Sequence, residues 1–319
     1  MVEYRTFRNT DPPKLLALWN SAALGRGAAQ PGTVYAFEVS VFALPYFDPQ
    51  GLIIAESNGQ MVGFCHAGFG FTEDLSRLDA TQGIICALLV ASDHRRQGIG
   101  RELVQRATAY LHACGAGEVE FGQSKYRDPF YGGLYGGARP SGILESTPCM
   151  AEFLAAGGFK QTKGSTIYQR DLSTNRDPTN FRLIGIRRQT ELLVGEDPRD
   201  PSYWWYTHFG NIESMRFRLV AKKTAQTVAA VTVIGLDHYV SRWRERPIGL
   251  VDIQVAEAFR GRGFGSALLI ETMRRMRSEM SITLAEIHIP HANLMASTAV
   301  ENAGFVAIEN SFVYRRPDS

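Results

Sequence analysis

Apolar residues in the first half of the chain run from strand-like to helical spacing. Gly51–Glu56 and Met61–Gly68 are two short apolar runs flanking Ser57-Asn58-Gly59-Gln60, and Asn-Gly at such a point predicts a hairpin. Ile84–Val90 is a near-continuous apolar strand pattern. After it, Leu103, Val104, Ala107, Leu111 and Cys114 recur at helical spacing. Leu15–Asn20 and Tyr35–Leu44 read as helices, and Thr166–Asp171 as a strand. The second half repeats the order. Arg216–Lys222 and Thr227–Leu236 make a second hairpin, and Ile248–Val255 a second strand. Leu269, Met273, Met276 and Met280 form a second stripe, and Phe312–Arg316 a last strand. Along Leu250–Val255 the residues Leu250, Asp252 and Gln254 alternate with Val251, Ile253 and Val255, the pattern of a half-buried strand. Glu191–Ser214 is short and aromatic-rich (Trp204, Trp205, Tyr206), and no clear periodicity places its helices.

The two halves also share landmarks. Arg95-Arg96-Gln97-Gly98-Ile99-Gly100 and Arg260-Gly261-Arg262-Gly263-Phe264-Gly265 each follow the apolar strand and precede the helix. Gly157-Gly158-Phe159 and Ala303-Gly304-Phe305 each close a helix, where Gly tolerates the left-handed conformation, and open a strand. The chain is therefore two copies of one α/β domain. The polar, Pro-containing stretch Ser173–Thr179 divides them, giving domains 1–173 and 179–319.

Composition narrows the function. Thirty-four Lys and Arg against 32 Asp and Glu leave +2, too little basic excess for a generic nucleic-acid binder. The charged opening MVEYRTFRNTDPPK lacks a signal-peptide apolar core, and the longest clean apolar run, Ile84–Ala91, is far too short to span a membrane. A cytoplasmic location without nucleic-acid or membrane partners is the expectation. Cys65, Cys86, Cys114 and Cys149 are scattered, with no metal-ligand spacing, so no metal is expected.

A strand, a Gly-rich turn and a helix N-terminus make an anion cradle. The first helical amides lack partners, the dipole is positive there, and glycines allow close approach. Arg95, Arg96 and Arg101, or Arg260 and Arg262, would add countercharge. The Gly-Lys-Ser/Thr of a Walker loop is absent. The dinucleotide fingerprint is a near miss at Gly261, Gly263 and Gly265 and fails at Gly98, Gly100 and Leu103. A nucleotide-binding reading stays open at this point.

The two six-residue segments resemble the Gln/Arg-x-x-Gly-x-Gly/Ala signature of the GNAT superfamily of N-acetyltransferases, and each Gly-Phe resembles that family's end-of-helix mark. The resemblance covers most of the chain, twice. It implies an α/β (α+β) architecture of two tandem GNAT-like domains, each a mixed, mainly antiparallel sheet flanked by helices. It also implies binding of acetyl-CoA. The pyrophosphate would rest on the loops Arg95, Arg96, Gln97, Gly98, Ile99, Gly100 and Arg101, and Arg260, Gly261, Arg262, Gly263, Phe264, Gly265 and Ser266. The pantetheine arm would pair with Leu88, Leu89 and Val90, or with Ile253, Gln254 and Val255. An acetyl group would pass to an amine of a small molecule or peptide by direct attack, with strand N–H groups holding the oxyanion.

Asp252 falls where many family members carry an acidic residue near the amine, and is the candidate base or ammonium anchor. Asn293 matches the family's Asn-x-x-Ala, which often touches the cofactor. The family's acidic Tyr is replaced by Val300 and Leu154, which motivates the alternative of a non-catalytic acyl-CoA sensor or pseudoenzyme. The first copy has Ala87 and Thr147 at the places of Asp252 and Asn293, which weakly favours the second copy for catalysis. The first copy carries a Gly/aromatic insertion, Ser124–Glu145, read as an aromatic wall over a cleft with Tyr131 or Tyr135 available as acid. Cys65, His66 and Cys86 lie in strand patterns and read as structural. A monomer or a homodimer fits equally.

Overall fold

The computed structural model describes residues 1–174, 176–196 and 202–316. Asn175, in the expected linker, and residues 197–201, in the aromatic-rich stretch, lie outside the described residues. The first copy runs β1 (Val2–Thr6), α1 (Pro12–Ser21), α2 (Tyr35–Phe37), β2 (Leu52–Ser57), β3 (Gln60–Phe71), β4 (Leu78–Val90), α3 (Ile99–Ala113), β5 (Glu118–Phe121), β6 (Ile143–Leu144), α4 (Met150–Ala156) and β7 (Lys160–Asp171). The second runs α5 (Phe181–Gln189), β8 (Thr190–Gly195), α6 (Tyr203–Phe209), β9 (Ser214–Ala221), β10 (Thr227–Gly235), α7 (Val240–Trp243), β11 (Pro247–Val255), α8 (Phe264–Met280), β12 (Leu284–Pro290), α9 (Leu294–Asn302) and β13 (Val306–Arg315).

The expected elements form for the expected reasons. Ser57 pairs with Gln60 across a two-residue turn whose Asn58 and Gly59 have φ of 50° and 76°, the geometry Asn-Gly favours. Tyr35–Leu44 is α2 followed by a π-helical turn, Glu38–Phe42. The unplaced aromatic stretch contains α6, started by Ser202, whose hydroxyl accepts from Trp205 N at 3.2 Å. Cys114 ends the α3 stripe as its exposed C-cap rather than as a core residue.

The chain packs as two units that cross the 173/179 cut. Unit 1 comprises Met1–Gly136, Pro140–Gly164 and the chain from Ser311; unit 2 comprises Gly137–Arg139 and Ser165–Asn310. Each unit takes its closing strand from the other copy. In unit 1, β13 pairs with β5 (Tyr314 with Phe121); in unit 2, β7 pairs with β12 (Ile167 with His288). A duplicated domain has two equivalent open sheet edges and two equivalent closing strands, so exchange satisfies both edges. The strand order is β1-β2-β3-β4-β5-β13 in unit 1 and β7-β12-β11-β10-β9-β8 in unit 2. Only β4–β5 and β11–β12 are parallel within these orders, so each sheet is mixed and mainly antiparallel.

A long amphipathic helix packs on each sheet. In unit 2, Leu268, Leu269, Met273 and Met276 of α8 pack on Phe217, Val231 and Leu250. In unit 1, Leu103, Ala107 and Leu111 of α3 pack on Ala55, Cys65 and Ile85. Burying each large apolar side chain contributes roughly 1.5–3 kcal/mol, which fixes the helix, and with it the Gly loop, against the strand ends.

Candidate functional site

In unit 2 the sheet opens where β11 loses a neighbour. β11 pairs with β12 only from Pro247 to Leu250, while its pairing with β10 continues to Val255. One extra residue intervenes, because Val251 faces Thr232 and Gln254 faces Ala230. Asp252 sits in this bulge with φ of 53°, a left-handed conformation that Asp tolerates better than most side chains. A cleft of about 870 Å³ lies along the freed end of β11, lined by Ile253–Val255, Ala229, Ala230, the Gly loop and α9.

The Gly loop lines this cleft together with the start of α8. Gly261 and Gly263 have φ of 70° and 86°, and nothing lies within 4 Å of where a Cβ on Gly261 would stand. Gly263 caps α8, so the first-turn amides have no carbonyl one turn back and point out of the helix. A Cβ on Gly265 would meet Ala299 Cβ at 3.3 Å and Val255 Cγ2 at 3.4 Å; its absence lets α8 seat close to strand and helix. Ser266 Oγ donates to Ala299 O at 3.0 Å and ties α8 to α9. Asn293 Oδ1 accepts from Ala296 N at 3.2 Å, so it caps α9 as well as lining the cleft.

The signature arginines serve the loop itself. Arg260 Nε donates to Val255 O at 3.2 Å, and in unit 1 Arg95 Nε donates to Val90 O at 3.0 Å. Each guanidinium thus ties the loop to the end of its strand, beyond the countercharge the sequence suggested. Arg262 donates to Ala258 O at 3.3 Å. Two cations missed from the sequence line the cleft: Arg182 of α5 and Arg216 of β9. Arg182 comes within 3.1 Å (Cδ) of a Cβ built at Gly263. Its signal lay in Asn180, whose side chain caps α5 through Leu183 N at 2.9 Å and so sets Arg182 in the first turn. With Arg260, the residues lining the cleft include three arginines and no Asp or Glu.

Asp252 has a partner that spacing alone did not reveal. Arg139 Nη1 lies 3.6 Å from Asp252 Oδ1, with both side chains nearly buried. Arg139 comes from the first-copy insertion, of which Gly137–Arg139 belongs to unit 2. Gly137 N donates to Tyr239 Oη at 2.9 Å, and Ala138 N to Glu286 Oε1 at 3.1 Å. Ala138 lies against Gly249, where a Cβ would come within 2.8 Å of its Cα. Glu286 also accepts from Gln169 Nε2 at 2.8 Å and is 3.1 Å from His288 Nε2.

Unit 1 keeps the loop but alters what surrounds it. Gly98 caps α3 with φ of 84°, and β4 likewise parts from β5 beyond Ile85. Where Ala299 faces Gly265, Phe153 faces Gly100, its ring 3.3 Å from a built Cβ. The insertion is core rather than a wall over a cleft: Phe130, Tyr131 and Leu134 are buried. Aromatic neighbours draw it in. Tyr131 stacks on Trp19 with centroids 5.8 Å apart, and its hydroxyl is 3.0 Å from His66 Nδ1. Burial pushes the Tyr131 hydroxyl well up and lowers His66 to about 3, so both are neutral at pH 7. Burial also raises the Cys65 and Cys86 thiols, which makes them poor nucleophiles. Tyr135 Oη lies 2.9 Å from Thr147 Oγ1. Thus the second-copy loop, the freed end of β11 and Asn293 meet around one cleft, Asp252 stands in the adjoining bulge of β11 outside its lining, and Tyr131 and Tyr135 belong to unit 1.

Among the described residues, no helix is long and apolar enough to cross a membrane, and no cluster of three or more His, Cys, Asp or Glu could hold a metal ion. The model of the acetyltransferase (GNAT) family matches residues 22–129 and 186–305, once per copy and well over half the chain. Solved structures share the fold at low identity. A tandem GNAT protein from the clavulanic acid biosynthesis pathway superposes with a TM-score of 0.66 at 17% identity, covering 100% of both chains. A GCN5-related N-acetyltransferase from Sphaerobacter thermophilus gives 0.63 at 13% identity, covering 100% of this chain and 97% of that one. The glucosamine N-acetyltransferase region of a fungal multi-domain β-N-acetylglucosaminidase gives 0.71 at 13% identity, covering 99% of this chain and 38% of that one. No curated protein sequence matches the chain. The chain belongs to the acetyltransferase (GNAT) family, as a tandem member with two copies of the domain.

Proposed function

We propose that the cleft of unit 2 binds acetyl-CoA and passes the acetyl group to an amine of a small molecule or peptide by direct attack. One observation carries this reading: the cleft joins a helix N-terminus and Gly loop to the freed end of β11, and it is lined by arginines without a carboxylate. The amides from Gly261 to Ser266 suit a pyrophosphate, and Ile253, Gln254 and Val255 offer strand edge to a pantetheine amide pair. Asn293 stands beside that path.

In the reaction the amine nitrogen bonds to the thioester carbonyl carbon, and the carbon–sulfur bond breaks. The amine's proton passes to Asp252, directly or through water, with the N–H groups of β11 beyond Leu250 available to the oxyanion. Val300 offers no acid, so water protonates the departing thiolate. Tyr131 and Tyr135 take no step in this scheme, because each hydroxyl is engaged within unit 1.

Calorimetric titration with acetyl-CoA tests the reading, using the wild type, Gly263→Glu and Gly98→Glu. The expected result is one site per chain, lost in Gly263→Glu and kept in Gly98→Glu. No binding by the wild type, or preferential binding of NAD or ATP, would overturn it. Tight binding without turnover on any amine would move the chain to an acyl-CoA sensor.

A further inference from the structure

We propose that Arg216 makes this site select amines that also carry a carboxylate. The inference rests on acetyl transfer in unit 2 and names its acceptor class. Met215, Phe217 and Leu219 of β9 point to the core under α8, so Arg216 points to the opposite face of the sheet. On that face Arg216 pairs with Thr232, and Thr232 with Val251, the residue before Asp252. Arg216 Nη1 donates to Thr232 Oγ1 at 3.1 Å, and Thr232 is buried, so the guanidinium is held in place.

Distance separates this arginine from the pyrophosphate end. Val251 and Val255 are four residues apart on β11, and across the bulge β10 spans the same register in three, Thr232 to Ala229, about 10 Å along the strand. Arg216 is therefore level with the reacting end of the cleft, where the acetyl group brings no charge. Arg139 reaches Asp252 on this same face, because Ala138 sits on Gly249, and Gly249 pairs with Ile234, two residues from Thr232. The face so carries the Asp252 carboxylate, paired with Arg139, on β11 and a second guanidinium on β9, on strands two spacings or about 10 Å apart. An amine drawn to Asp252 with its own carboxylate toward Arg216 matches both signs. A planar guanidinium takes a carboxylate through two parallel N–H bonds, which an uncharged amide cannot reproduce.

The test pairs each amino acid acceptor with its amide, using the full chain and acetyl-CoA and measuring CoA release chromatographically. Wild type should favour the acids in kcat/KM by at least about tenfold, the scale of one charge-assisted bond. Arg216→Gln should reduce that ratio to within about twofold by slowing the acids more than the amides; Arg216→Lys should restore part of it. CoA-loaded protein titrated with N-acetyl amino acids and N-acetyl amino amides gives the same comparison by binding. Equal response to acids and amides, or an equal loss on both in Arg216→Gln, would overturn the proposal while leaving acetyl transfer intact. Preference for succinyl-CoA over acetyl-CoA would move the carboxylate to the acyl group and overturn it too. Failure of the wild type to bind acetyl-CoA would defeat the underlying reading as well.

Discussion

Asp177 offers a quantitative check on how the site is held. It lies in the stretch that reads as a polar linker, yet its side chain is only 9% exposed and meets three arginines. Arg277 Nη2 donates at 2.8 Å, Arg274 Nε at 3.2 Å, and buried Arg170 donates as well. Arg274 and Arg277 belong to α8, whose N-terminus lines the cleft. Burial pushes the Asp177 carboxyl up, but the bonds from Arg277 and Arg274 outweigh it and bring it from 3.8 down to about 2. That difference is worth about 2 kcal/mol of folding free energy. Because the folded value is the lower one, the contribution is complete above pH 4 and fades as the pH falls through 2. Asp177→Asn removes it and leaves three guanidinium groups facing one another, so about 2–4 kcal/mol should be lost at pH 7. Urea unfolding of unit 2, followed by its tryptophans, reads this directly. The gap between wild type and variant should be constant from pH 7 to pH 5 and shrink only below pH 4. A loss below about 0.5 kcal/mol, or a gap that does not narrow in acid, would refute the account.

Other outcomes follow from the same geometry. Ala299→Phe copies Phe153 into unit 2 and should abolish acetyl-CoA binding by calorimetry while circular dichroism stays native. Phe153→Ala in a full chain should lower stability by about 3–5 kcal/mol at most, as for a buried Phe, and less to the extent that its half-exposed ring is solvated, without reducing kcat. Asp252→Asn should reduce kcat at least about a hundredfold, the usual worth of a general base, with acetyl-CoA affinity unchanged by titration. Tyr131→Phe strips a buried hydroxyl from His66 and should cost about 1–3 kcal/mol in urea unfolding while kcat stays constant.

The sequence was legible wherever local physics decides the outcome. Asn58-Gly59 forces its turn, and the stripes on α3 and α8 face their sheets. Gly98 and Gly263 take left-handed caps that a Cβ would strain. Cradle and strand could be read because both are set within a few residues of each other. The exchange of β7 and β13 was not legible, since two copies with alike closing strands permit either pairing and no local signal distinguishes them. Arg216 was hidden for a related reason: its value lies in facing Thr232 across a strand register, which periodicity gives only as one more polar position.

The insertion shows where loop reading fails and why. Length and Gly/aromatic content correctly set Ser124–Glu145 apart, but they do not tell a wall from a plug. Packing decides between them. Phe130 and Tyr131 find rings at Phe47, His66 and Trp19, so the loop gains more by burial than by standing over solvent. Once those rings are fixed, the Gly136-Gly137 turn that follows can adopt φ of 85° and 63°. A side chain at Gly137 would collide with Glu286, so only glycine lets Ala138 N reach that carboxylate. This close approach is what delivers Arg139 to Asp252. An alanine at Gly137 should therefore displace Arg139 and weaken acceptor binding without touching the cleft that holds acetyl-CoA. A rise in acceptor KM with an unchanged KM for acetyl-CoA is the expected signature, and equal rises in both would show that the tripeptide acts on the fold instead.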